Sequence, residues 1–540
     1  MRMFRRDNGS AYPPMKASRR GEALSVGGRM LIPIVAIMGV SAALLVFGFL
    51  AELWFVAPGQ GIVWHNWFTV DDPEIARGIV VQVLQTLSSV FAISITVVAI
   101  IVQLSATRYT SRVVDLFLAD PFNAFVLFSY VVPLLYGFWL SYAITAESYS
   151  LVSMAIFNVL TSLAIVLLIP YFQYLFYFLQ PSNIINKIEG SIEQTLRKVR
   201  LYPDYYDRAR YEVNNSLQQL SDITLSSIAQ SDIALALQSL NSMRDIAVFY
   251  LQLKGKLDER WFNVDSGQIM GLSEEMRAEI VRTRTWLEME IFKRYEIAFT
   301  SSLRKVRDIA SCVAMNLREI GSVAAATGND QTLDFIIKGF NTLVMYTLSE
   351  RDIRSAVHVF YQYRILAESI LYRPEIVEKI AEHFKYYGQN SQRRRIFFIM
   401  DAVAYDLRML IELSFGKFPE TVERLLRIFL ELDQAAQTET DIAFLKGVRK
   451  SQAMLGGFFI RHDQPDLARL IVADIGTEDK EFLLAIKKEL FGVTSREFWE
   501  IEDRGVSFFY VRPEERESME IFFSWLLGEQ APRGRTRAGG

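Results

Sequence analysis

The chain has 540 residues and a formal net charge of −3, with 51% hydrophobic and 22% charged residues. This length is too great for one ordinary domain, and the small net charge gives no reason to expect a nucleic-acid partner. Cys312 is the single cysteine, which excludes an intrachain disulfide and a cysteine-rich metal cluster.

Four apolar segments are long enough to cross a hydrocarbon core of about 30 Å. The sequence predicts spans at about 30–55, 78–105, 122–145 and 151–171. The first is too long for a secretory signal, whose apolar stretch has about 7–15 residues, so we expect a retained anchor. Residues 146–150 are only long enough for a turn, which predicts a helical hairpin of the last two spans.

Basic residues lie on one side of these spans. They cluster in the N-terminal segment 1–29, in the link 106–121 and after the fourth span, whereas the two opposite loops contain only Arg77. By the positive-inside rule this predicts a multi-pass protein of the cell inner (plasma) membrane with both termini in the cytoplasm.

The second span has polar residues along one side. Positions counted by sevens give two small or polar rows: Gln82, Ser89, Thr96 and Gln103, and Gln85, Ala92, Ala99 and Ala106. The rest of the span is mostly valine, isoleucine, leucine and phenylalanine. We call these two rows the polar stripe.

Three arrangements could explain the polar stripe. Small residues allow close helix packing in lipid, and Gln, Ser and Thr can form hydrogen bonds across helices, within one chain or at an oligomer seam. Alternatively, several copies could line a wet path with Gln82, Gln85, Ser89, Thr96 and Gln103. The stripe has no charged residue, which argues against a proton relay or a strongly ion-selective ring.

The link after the second span, "TRYTSRVVDLFLADP", predicts a short interfacial helix that ends before Pro121. Arg108 and Arg112 could pair with lipid phosphates or with Asp115 and Asp120. As a functional hypothesis, these four residues form the inner mouth of a path, or a hinge that couples cytoplasmic movement to the second span.

The segment "FAISITVVAIIVQLSATRYTSRVVDLFLAD", with Tyr109, Arg112, Phe117 and Asp120 at a characteristic spacing, resembles a bacterial family of predicted membrane proteins that carries the domain of unknown function numbered 2254. "FLQPSNIINKIE", residues 178–189, is similar to that family's exit from its last span. The resemblance covers roughly residues 80–190. Ser111 stands where the family commonly has proline, and the family's usual Asn-Asp-Pro stretch is not visible. The resemblance implies four spans and a cytoplasmic C-terminal domain, without a known active site.

The sequence predicts a cytoplasmic α-helical domain over residues 181–528. No proline occurs between Asp204 and Arg373, and turn-forming residues separate segments whose apolar residues recur at helical spacing. These predicted turns are Gly328-Asn329-Asp330, Gly388-Gln389-Asn390 and His462-Asp463-Gln464. Their intervals are irregular, yet stacked helix pairs of the solenoid kind fit best, with a compact bundle as the alternative. Residues 529–540 predict a disordered tail. The expected fold class is therefore all-α throughout.

Sequence patterns for catalysis are absent. The chain has no phosphate loop, no dinucleotide turn and no His-Glu-x-x-His pattern, and its four histidines are scattered. Arg393-Arg394-Arg395 fits a solvated face better than a contact with anionic lipid or an acidic partner. We therefore expect no enzyme, no metal and no cofactor.

The leading functional hypothesis is a homo-oligomeric, channel-like protein in the lipid bilayer, gated or assembled by its cytoplasmic helical domain. The alternative is a membrane-anchored scaffold or sensor whose helical array binds a cytoplasmic protein partner. A small-solute transporter is a weaker third hypothesis.

Overall fold

The computed structural model describes residues 72–108, 114, 117, 120–145, 151–202, 205–264, 273–434, 445–497 and 507–528. Over these ranges the chain is 85% helical and contains no strand, which confirms the predicted all-α fold. It divides into two compact units, Met1–Ile184 and Ile185–Gly540. We call these the N-terminal unit and the C-terminal unit.

The N-terminal unit contains three long apolar helices, α1 (Pro73–Arg108), α2 (Pro121–Ala143) and α3 (Leu151–Phe178). Each includes a candidate membrane span: Pro73–Ser105, Pro121–Ala143 and Ile156–Phe178. They correspond to the second, third and fourth predicted spans. The predicted first span, 30–55, and the basic segment 1–29 lie outside the described residues.

The packing of α1 leaves most of its circumference exposed. Its buried side chains form one row: Ala76, Val80, Leu87, Ser94, Val98 and Val102. Val80 belongs to an apolar cluster with Leu140 of α2 and Phe157 of α3. Gly137 of α2 allows α1, α2 and α3 to approach one another closely. A Cβ at this position would lie 2.4 Å from a ring carbon of Phe157 and 2.8 Å from a methyl carbon of Leu84.

Replacing Gly137 with alanine is expected to lower the thermal stability of the full chain in detergent. The added Cβ must push the Phe157 ring aside, and overpacking of this kind costs about 1–3 kcal/mol. Gly78→Ala is the matched control, since nothing lies within 4 Å of its added Cβ. Equal melting behaviour of the two variants, measured by far-ultraviolet circular dichroism, would show that α1, α2 and α3 do not meet at Gly137.

The C-terminal unit contains most of α4 and fourteen further described helices. Their bounds are α4 (Pro181–Val199), α5 (Tyr206–Ala229), α6 (Ile233–Lys254), α7 (Glu274–Thr283), α8 (Trp286–Ser302), α9 (Arg307–Ala326), α10 (Asp330–Glu350), α11 (Ile353–Ser369), α12 (Pro374–Arg393), α13 (Phe397–Phe415), α14 (Val422–Leu430), α15 (Lys446–Arg461), α16 (Pro465–Ile475), α17 (Lys480–Gly492) and α18 (Arg516–Leu527). Short 3₁₀ turns at Glu259–Trp261, Pro419–Thr421, Glu431–Asp433 and Pro513–Glu515 lie between them.

These helices pack in two rows. One row is α6, α9, α11, α13, α15 and α18, and the other is α5, α8, α10, α12, α14 and α16. Helices α8, α10 and α12 begin at residues 286, 330 and 374, a constant interval of 44 residues. The arrangement is compatible with the predicted stacked helix pairs. The constant 44-residue spacing of these helices could not be predicted from the turn residues in the sequence.

One predicted turn is wrong. Gly388-Gln389-Asn390 lies inside α12, whereas Gly328 and His462-Asp463-Gln464 do lie between helices. Gly388 is present for packing: a Cβ at this position would lie 2.8 Å from a methyl carbon of Leu432. The predicted tail, 529–540, lies outside the described residues.

Candidate functional site

The polar stripe of α1 is exposed within the described structure. Gln82, Gln85, Ser89, Thr96 and Gln103 are all exposed, and so are the small residues Ala92 and Ala99 of the same two rows. No helix of the described part of the chain covers this face. What lies against the stripe in the membrane must therefore be lipid, water, residues outside the described ranges or another chain.

Helix geometry explains the exposure. Each stripe position in the row 82, 89, 96 follows a buried position in the row 80, 87, 94 by two residues. At 3.6 residues per turn, two residues correspond to a rotation of about 200°. The row 82, 89, 96 and the packed row therefore lie on opposite sides of α1. Ala99 and Gln103 follow the buried Val98 and Val102 by one residue, so this end of the stripe lies nearer to the packed side.

The hydroxyl groups near the stripe are bonded within α1 itself. Ser89 Oγ donates to the carbonyl of Gln85 at 2.9 Å, and Thr96 Oγ1 donates to the carbonyl of Ala92 at 2.8 Å. Thr86 Oγ1 donates to the carbonyl of Gln82 in the same way. These donors need no second helix, so the hydroxyls alone do not require a partner.

The glutamine amides differ from the hydroxyls. Within the described residues, the side chains of Gln82, Gln85 and Gln103 have no hydrogen-bond partner. A polar group without a partner in hydrocarbon is costly. Gln82 and Gln103 lie about 31 Å apart along the helix, so they stand at the two ends of a bilayer core of about 30 Å. Ser89, Ala92, Thr96 and Ala99 occupy the middle.

The predicted inner mouth is described only in part. Arg112 and Asp115 lie outside the described residues, and so does the side chain of Arg108, whose backbone ends α1. Asp120 is described as the N-cap of α2: its carboxylate accepts from Phe122 N at 3.0 Å and from the hydroxyl of Tyr174. Asp120 thus connects the start of α2 to α3.

An apolar groove of about 880 Å³ lies beside one end of the stripe, between α1, α2 and α3. Ala99 and Gln103 line it on α1, and Asn123 and Tyr130 line it on α2. Asn123 Nδ2 donates to the carbonyl of Phe117 at 2.5 Å, while its Oδ1 is buried without a described partner. Sequence reasoning missed Asn123 because a single asparagine in an apolar run has no periodic signal.

Across the ranges that the structure describes, no group of three or more His, Cys, Asp or Glu residues is placed to hold a metal ion.

Comparison with known proteins gives one match to a protein family. No curated protein matches the chain. A solved structure titled "Circular tandem repeat protein with novel repeat topology and enhanced subunit contact surfaces" is 15% identical, covers 68% of this chain and 85% of its own, and has a TM-score of 0.33, which is too low to define the fold. The family model described as "Predicted membrane protein (DUF2254)" matches residues 29–237, which include α1, α2 and α3. This match over residues 29–237 of the membrane protein confirms the resemblance to that family that the sequence predicted.

Proposed function

We propose that the chain forms a homo-oligomeric, channel-like protein in the cell inner (plasma) membrane, in which the polar stripe of α1 faces a path shared by several copies. The C-terminal unit would assemble and gate this path from the cytoplasm. Catalysis and cofactors have no part in the proposal.

One observation carries the proposal: the three glutamine amides of an apolar helix are exposed and have no described partner. Gln82 and Gln103, at the ends of the core, can also reach interfacial water, whereas the Gln85 amide between them would be satisfied by water in a path or by the polar groups of another copy. The small residues at positions 89, 92, 96 and 99 suit the close approach of neighbouring α1 helices. An uncharged, hydroxyl- and amide-lined path fits weak rather than strict ion selectivity.

The proposed topology has four spans. Residues 30–55 are the remaining apolar segment of sufficient length. The basic residues of 1–29, 106–121 and the region after α3 favour an orientation with both termini in the cytoplasm. Arg108 and Arg112 then stand at the inner end of the path, with Asp115 and Asp120 in the link that transmits movement.

Replacing Gln82, Ser89, Thr96 and Gln103 together with leucine is expected to reduce ion flux into liposomes to the level of empty liposomes. Leucine removes the polar lining, and an apolar constriction excludes water. Flux is measured with the purified full chain at equal protein density.

The control carries four conservative changes on the neighbouring exposed face of the same helix: Ile79→Leu, Ile93→Leu, Ile100→Leu and Leu104→Ile. It should conduct as the unaltered chain does. Unchanged flux in the leucine variant, or a strict monomer in detergent, would overturn the channel proposal and leave the membrane-anchored scaffold or sensor, with a protein partner for the helical array.

A further inference from the structure

Three turns of the C-terminal unit share one unusual backbone conformation. Arg304, Arg351 and Arg395 precede α9, α11 and α13, and their φ angles are 63°, 54° and 57°. Glycine adopts this left-handed region without steric cost, whereas a residue with a Cβ does not. The turn before α6 has Ser231 at φ 60°, whereas these three turns have arginine.

These turns lie side by side at one edge of the unit. The backbone N–H of Arg304 donates to Asp352 Oδ2 at 3.0 Å. Arg351 Nη2 donates to the carbonyl of Arg394 at 3.5 Å, and Arg394 Nη1 donates to the carbonyl of Leu348, also at 3.5 Å. The stacking of helix pairs thus brings three sequence-distant turns together.

The edge is strongly positive. Its basic residues, which we call the basic edge, are Arg304, Lys305, Arg307, Arg351, Arg354, Arg393, Arg394 and Arg395. All are exposed except the half-buried Arg394. The acidic residues of the same turns are Asp308, Glu350 and Asp352, and Asp352 is engaged as the N-cap of α11. Among the described residues, Lys305, Arg354 and Arg395 form no ion pair.

Two large apolar side chains beside these cations are partly exposed, and the Phe398 ring also stacks on Phe508. Ile353 is 39% exposed and Phe398 is 37% exposed, each within three residues of a left-handed arginine. Basic residues interleaved with exposed apolar residues are typical of surfaces that bind anionic bilayers, because the cations meet the headgroups while the apolar groups enter the interface. A nucleic acid or an acidic protein would use the cations but not the apolar groups.

We propose that the basic edge binds the anionic phospholipid headgroups of the bilayer surface. The C-terminal unit is covalently linked to membrane-spanning helices. A bilayer is therefore always close to it, which raises the effective concentration of lipid headgroups. Each basic residue near an anionic surface raises the ratio of membrane-bound to unbound forms of the basic edge about fivefold. The proposal does not depend on conduction by α1.

The test uses the full chain in vesicles, with a fluorophore on Ile353→Cys and a quencher on lipid headgroups. The native Cys312 is buried, and a sample without the new cysteine measures its labelling. We expect quenching in vesicles that contain phosphatidylglycerol and little in phosphatidylcholine alone. Raising salt from about 0.1 M to about 1 M should release the edge, because the Debye length falls from about 10 Å to about 3 Å.

The variant K305Q/R354Q/R395Q should reduce the ratio of bound to unbound forms on the order of 100-fold, from three residues at about fivefold each. Its melting should match that of the unaltered chain, since these side chains are exposed. The matched control K417Q/K480Q/K488Q removes the same charge at exposed positions elsewhere and should retain quenching. Equal loss in both variants, quenching independent of anionic lipid, or quenching that needs added nucleic acid or protein would overturn the proposal.

Discussion

Replacing Lys254 with methionine is expected to lower the free energy of unfolding of the C-terminal unit by about 3–5 kcal/mol. Lys254 Nζ donates to Glu288 Oε1 at 2.6 Å and to Thr332 Oγ1 at 2.8 Å, and Thr332 donates to the same carboxylate oxygen. The side chains of Lys254 and Glu288 are only 7% and 1% exposed. Without the ammonium group, the Glu288 carboxylate is left buried and uncompensated.

This triad connects three helices, since Lys254 ends α6 and the other two residues lie in the first turns of α8 and α10. Thermal and urea unfolding of the full chain in detergent would measure the loss. Lys256→Met is the control at a nearby exposed position. The double variant K254M/E288M should recover most of the stability, because it removes both buried charges. A small effect of K254M alone would contradict the assigned burial.

Replacing Asp401 with asparagine is expected to stabilise the C-terminal unit above about pH 7 by about 3–4 kcal/mol. Asp401 lies on α13, and its Oδ1 is buried without a hydrogen-bond partner in the described structure. Gly447 of α15 makes room for it, because a Cβ there would lie 1.9 Å from that oxygen. Burial raises the pKa of the Asp401 carboxyl to about 7, against the opposing effect of the Lys450 cation.

The sign of the pH dependence follows from this raised pKa. Between about pH 4 and pH 7 the unfolded chain releases the Asp401 proton while the folded chain keeps it, so stability falls as pH rises through this window. Asparagine has no proton to lose, and its variant should show a smaller slope there and little gain below about pH 4. Melting of the full chain across pH tests this, with exposed Glu514→Gln as control. A variant less stable than the unaltered chain above pH 7 would contradict the burial of a charged group.

The sequence alone predicted the features that depend on local pattern. The positions of α1, α2 and α3 follow from runs of apolar residues, and the all-α class follows from helical periodicity with few prolines. The polar stripe was visible as a count by sevens. The sequence could not tell which side of α1 the other helices pack against, because Ser94 is as polar as Ser89 but is buried.

The tertiary structure decided everything that depends on residues distant in sequence. The 44-residue register, the packing role of Gly388 and the basic edge arise from contacts between helices whose partners are more than 40 residues apart, such as Arg364 Nε with Asp406 Oδ1 at 2.9 Å. The partners of Lys254 and the isolation of Asp401 arise in the same way. Helix propensity acts within a few residues, whereas burial and ion pairing depend on which surfaces meet after the helix pairs have stacked.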